Sequence, residues 1–260
     1  MSATLANAPV YYALVQMRFD AVASMAKFAN DIQERLRLNG YPVFETDTIQ
    51  SFSISFNGEN NNSPILTQEN QWYFTSQDRS SGFVLGHDYL TFHTTAYTSH
   101  YHFFEQMING LRLLNEIVKI PSINRLGLRY LNAVIPAHNQ KVEDYLDPGV
   151  QGINLGKDWI AGSSESVFPT EHGILVSKVY RAANSHLGFP ADLQIKSIRM
   201  QDRFITEAPL RHAVIDIDHY SEAIIPPDEE IVNDTLNMLH NDTSDCFTRI
   251  TTPLAFKYWS

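Results

Sequence analysis

The chain has 260 residues, with 19 Lys and Arg against 29 Asp and Glu, and a formal net charge of −10. That field repels phosphate backbones, so nucleic acid is an unfavoured partner. A single cysteine, Cys246, excludes an intramolecular disulfide and a cysteine-built zinc cluster.

Residues 9–19, PVYYALVQMRF, read as a first strand and not as a signal peptide, because no basic segment precedes a short apolar run that Gln16 and Arg18 interrupt. No stretch approaches the roughly 18 apolar residues that a membrane helix needs. With one thiol, the expectation is a soluble cytoplasmic protein with no membrane partner. Asp20 offers a helix cap. Val22, Met25, Phe28, Ala29, Ile32 and Leu36 then recur at helical spacing, and Asn39-Gly40 ends the run.

Residues 49–56, IQSFSISF, alternate as a half-buried strand. NGENNNSP (57–64) reads as a loop, and 72–76, 82–86 and 89–97 as meander strands. Ser99 caps a helix over 100–119 with Phe103, Met107, Leu111 and Leu114 on its apolar stripe. INRLGLRYLNAVIP (123–136) is a strand, with Leu126, Leu128, Tyr130 and Val134 on one face and Arg125, Gly127 and Arg129 on the other. Residues 142–146 suggest a short helix, 147–165 an irregular connection, and 172–183, 191–204 and 211–220 three strands. Asp228 precedes a last helix whose first turn is acidic, as the helix dipole favours. In LAFKYWS the apolar residues alternate, which predicts a C-terminal strand.

This order, β-α-β-β-β-β-α then β-(α)-β-β-β-α, predicts an α+β fold: an antiparallel sheet with helices on one face. The two halves, 1–120 and 121–260, are expected to pack as one compact unit. The order resembles a duplicated, TATA-binding-protein-like plan, an analogy that carries no function.

At RLGLRYLN (125–132) the chain resembles a sporadically distributed family of uncharacterised bacterial proteins with an RxGLRYxN strand. PVYYALVQMRF (9–19), WYFTS (72–76) with YLTFHTTAY (89–97), and VIDIDHY (214–220) extend the resemblance over most of the chain. The resemblance implies a shared fold and no catalytic residues. Sporadic distribution implies horizontally moved genes and a defence, toxin-associated or phage-related role.

Arginine pairs bidentately with carboxylates, and VIDID places Asp216 and Asp218 on one strand face. Two strands side by side would set Arg125 and Arg129 against Asp216 and Asp218, with Gly127 making room for a large neighbour. This structural reading is favoured over an anion site on Arg125, Arg129 and Arg199, or a divalent-cation site on the two aspartates. His87, His93, His100, His102 and Glu105 are near in sequence, but they follow no metal-binding pattern, and His172 with His186 is weaker still. No nucleophile elbow exists, GINLGKDW (152–159) lacks the phosphate-loop spacing, and Cys246 has the look of a buried thiol. Trp72, Tyr73, Phe74, Phe92 and Tyr97 read as core. No metal, cofactor or catalytic residue is implied. The favoured function is a non-enzymatic interaction protein with a protein partner or a second copy of itself. The alternative is an anionic-ligand sensor or enzyme using Arg125 and Arg129 with Asp216 and Asp218.

Overall fold

The computed structural model describes residues 7–53, 65–193 and 195–260, so NGENNNSP and the end of the predicted strand 49–56 lie outside the described residues. The elements are β1 (Val10–Phe19), α1 (Met25–Leu38), β2 (Val43–Ser53), β3 (Ile65–Thr75), β4 (Ser81–Leu85), β5 (Tyr89–Thr94), α2 (His100–Ile117), β6 (Ile123–Val134), β7 (Ala161–Pro169), β8 (Ile174–Ser185), β9 (Leu210–Ser221), α3 (Glu229–Ile250) and α4 (Pro253–Trp259). The nine strands form one open antiparallel sheet in the order β2-β3-β4-β5-β1-β6-β9-β8-β7. The class is α+β.

β1 and β6 pair along their length and hold the sheet's centre. Their alternation decides which face is dry. Ala13, Val15, Met17 and Phe19 of β1 and Leu126, Leu128 and Tyr130 of β6 pack against Met25, Ala29, Ile32 and Leu36 of α1, Phe103, Met107 and Leu111 of α2, and Val232, Leu236 and Leu239 of α3. The helices therefore lie on one face, each covering it with the apolar stripe its 3.6-residue period creates. Asp228 caps α3, its carboxylate accepting from the N–H groups of Glu230 and Ile231.

Five expectations are corrected. The described residues of 191–204 form no strand. Ser197 has φ +69°, in the left-handed region, and breaks the extended run. Leu193, Ile195, Ile198 and Met200 instead pack flat on the sheet's other face, against Tyr11, Tyr12, Leu131 and Val214. The strand missing there is found at β7, inside the stretch expected to be irregular. Its Gly- and Ser-rich sequence has weak strand propensity, and pairing with β8 supplies the order, from Ala161 opposite Ala182 to Pro169 opposite Ile174. The C-terminal segment is a helix, not a strand. Thr252 caps it, Pro253 occupies its first turn, and Ala255 and Trp259, four residues apart, are the buried pair. The short helix expected over 142–146 is reduced to a single 3-10 turn, Val142–Asp144, and α1 starts at Met25 after Ser24, so Asp20 caps nothing.

Candidate functional site

The helix-free face carries Arg129. Its Nε and Nη2 donate to the two carboxylate oxygens of Asp216, at 2.7 and 2.6 Å. Its Nη1 donates to Asp192 at 2.7 Å and its Nη2 reaches the same carboxylate at 3.2 Å. Asp216 is buried and Asp192 is exposed. The guanidinium holds the Asp192 carboxyl below the usual carboxylate range. Burial pushes Asp216 up, and the two bonds from Arg129 oppose that push.

Arg125 and Asp218 make no such pair. The Arg125 guanidinium lies over the Tyr220 ring, 4.1 Å from its centroid. Gly127 stands opposite Tyr220, and a Cβ there would meet Tyr220 Cβ at 2.8 Å, so the glycine does make room for a large cross-strand neighbour. Asp218 is half-buried, and burial raises its carboxyl. Arg199 is exposed and its backbone serves a different junction, its C=O accepting from the Thr95 hydroxyl at 2.6 Å.

Asp192 belongs to a strap, residues 186–209, between β8 and β9. The Tyr11 hydroxyl donates to the Gly188 carbonyl at 2.8 Å. Farther along, Lys196 pairs with Asp47, the Ser197 hydroxyl donates to Glu45, and Arg79 donates to Glu45 at 3.0 Å and to the Ser197 carbonyl at 3.2 Å. The strap thus runs from the β8–β9 side to the opposite sheet edge, and Arg129 anchors it midway. Under its first part lies an open cleft of about 550 Å³. Lys178, Tyr180, Asp192 and His212 supply its polar lining. Neither Asp192 nor the cleft was visible in the sequence, since the strap's alternation resembles a strand; Pro190 was the one contrary signal.

His93, His100 and His102 do not gather at one place. His93 is buried on the helix-free face, 3.2 Å from the Tyr12 hydroxyl, with Nε2 unpartnered, and burial pushes it down to about 4. His102 and Glu105 approach to 3.5 Å on the exposed surface of α2. His100 stacks on His240 of α3, a residue the sequence did not single out, at 4.3 Å between ring centroids. His172 is 3.0 Å from Asp242, and His219, fully buried, is 3.8 Å from the same carboxylate oxygen. His186 meets only Thr206. Among the described residues no group of three or more His, Cys, Asp or Glu has the arrangement to hold a metal ion. The Cys246 thiol is half-buried on α3 and burial raises it, which opposes thiolate chemistry.

A different feature stands at the sheet's outer edge. β7 is exposed along most of its length, with Val167 56% and Phe168 50% exposed. The connection leading into it adds Ile153, Leu155 and Ile160, at 86, 76 and 85%. The face and edge together define an α+β protein with an open antiparallel sheet, strapped on one side and unguarded at one border. Comparison with protein-family models, with curated proteins and with solved structures gives no match. Among the described residues no helix is long and apolar enough to cross a membrane.

Proposed function

We propose that this is a non-enzymatic interaction protein whose contact surface is the outer edge of β7. The observation that carries the reading is the set of five large apolar side chains, Ile153, Leu155, Ile160, Val167 and Phe168, left in solvent on and beside one edge strand. Apolar residues gathered at an unpaired edge mark a place where another strand adds, because the backbone supplies the bonds and the side chains the specificity. The Arg129 network supports the same reading, since both sides of its guanidinium are filled by the protein's own carboxylates. A bacterial defence or toxin-associated system is the setting we propose, in a reducing cytoplasm, on the strength of the RxGLRYxN resemblance. Immobilised protein should retain the product of a neighbouring gene, and Phe168→Glu should release it. Retention that ignores Phe168→Glu overturns the reading.

A second reading rests on the cleft beside Asp192, where Lys178 could face an anionic small ligand and displace Asp192 from Arg129. Thermal stabilisation by carboxylate or phosphate metabolites, lost in Lys178→Ala, would establish it.

A further inference from the structure

We infer that β7 pairs with β7 of a second copy of this chain, antiparallel about a two-fold axis at Ser164. The inference rests on the edge reading above and names its occupant. Three observations lead to it.

The first is which groups point outward. In an antiparallel ladder, alternate residues turn both backbone groups to the same neighbour. Ala183 N–H donates to the Ile160 carbonyl at 2.9 Å, and Thr170 N–H to the Gly173 carbonyl at 2.8 Å. Even-numbered residues of β7 therefore bond inward to β8. Ala161, Ser163, Glu165 and Val167 present their N–H and C=O groups to solvent. Pro169, which has no N–H to offer, lies at the strand's end.

The second is parity. A self-pairing must set outward residues opposite outward residues, so the axis passes through a residue and not between two. Centring on Glu165 would place two carboxylates directly opposite each other, which is repulsive. Centring on Ser163 would set Phe168 opposite Asp158, an apolar ring against a charge. Centring on Ser164 sets Ser163 opposite Glu165, Ala161 opposite Val167, and Ile160 opposite Phe168. Ile160, Ala161, Val167 and Phe168 then each meet an apolar partner, twice by symmetry. Glu165 remains 3.3 Å from Lys178 of its own chain, which balances its charge.

The third is that, among the described residues, the usual protection is missing. Edge strands are commonly blunted by inward charges, interior prolines or a covering segment. The opposite edge, β2, has Glu45 and Asp47 tied to the strap. The interior of β7 has one charge and no proline. Pairing would make one continuous sheet with the helices of both copies on the same side, because the axis stands normal to the sheet.

Light scattering on the full chain should give twice the chain mass at high concentration. Ser163→Pro removes an outward N–H and no bond to β8, and it should give a folded monomer that melts where the wild type does once that is diluted to monomer. In a Cys246→Ser background, Ser164→Cys places two thiols across a non-hydrogen-bonded pair, whose Cα spacing of roughly 4.5 Å suits a disulfide. Mild oxidation should link Ser164→Cys into a dimer and leave Ser166→Cys unlinked. A dimer that survives Ser163→Pro, or linkage at 166 instead of 164, overturns the inference. A wild-type monomer that still retains a partner protein, and loses it in Ser163→Pro, overturns the second copy alone and leaves the edge reading standing. A monomer whose partner retention ignores Ser163→Pro overturns both.

Discussion

Arg129 on β6 stands directly opposite Asp218 on β9, yet its guanidinium bonds Asp216, two residues along. The reason is reach. Directly opposed Cβ atoms lie about 5 Å apart, too close for a long side chain facing a short one, while the diagonal neighbour at roughly 7–8 Å suits it. The diagonal also brings Nη1 to Asp192 on the strap. One arginine therefore joins β6, β9 and the strap.

Removing one partner should be costly. Arg129→Ala leaves Asp216 buried and unpaired, for a loss of about 3–5 kcal/mol in a denaturant melt. Asp192→Asn should cost less than about 1 kcal/mol, because Asp192 is mostly in water. The double change Arg129→Met with Asp216→Leu should be milder than Arg129→Ala, since no buried charge remains. Equal losses for Arg129→Ala and Asp192→Asn would mean the strap contact, not the β6–β9 pair, carries the stability.

Stability should fall as pH drops from about 6.5 toward 4. His93 and His240 are both pushed down to about 4, each by burial, with His100 adding to the effect at His240. Between those values the unfolded chain binds protons that the folded one refuses, so the unfolding free energy rises with pH across this window. One such histidine contributes roughly 3 kcal/mol over the full span. Urea midpoints at several pH values should show the slope, and His93→Gln should flatten it whatever it does to stability at pH 7.

Asp218 should act in the opposite direction. Its carboxyl is raised by burial, so the folded state holds the proton more tightly, and stability falls as pH rises through the carboxylate range. Asp218→Asn should therefore stabilise the protein at pH 7 and change little at pH 3. A destabilised variant at pH 7 would reveal a favourable partner for the ionised carboxylate.

Gly127→Val should destabilise by on the order of 1–3 kcal/mol, because its Cβ would press on Tyr220 Cβ at 2.8 Å and His219 O at 3.3 Å. Pairing it with Tyr220→Gly should recover part of the loss. Recovery of nothing would place the strain in the backbone.

Trp259→Ala should cost about 3–5 kcal/mol, since Trp259 is buried against Tyr145 and Phe247. Thr252→Ala should cost about 1 kcal/mol through loss of the α4 cap. A tail that can be deleted without a lower melting temperature would contradict the docking of α4.

Periodicity was enough for what each segment decides by itself. The stripes of α1 and α2 and the two-faced pattern of β6 and of VIDID in β9 were legible, because burying one face of a helix or strand needs residues at a fixed spacing. The pairing of Arg129 with VIDID was legible as chemistry, since a buried guanidinium needs a carboxylate. Its geometry was not: which aspartate it takes depends on register, and register belongs to two strands at once. β7 and the strap were exchanged because strand propensity is weak and pairing decides it; 161–169 found a partner in β8, while 191–204 found a sheet face to lie on. LAFKYWS has apolar residues that fit either period. The cap at Thr252 and the space for Trp259 beside Phe247, both products of the assembled fold, made it a helix.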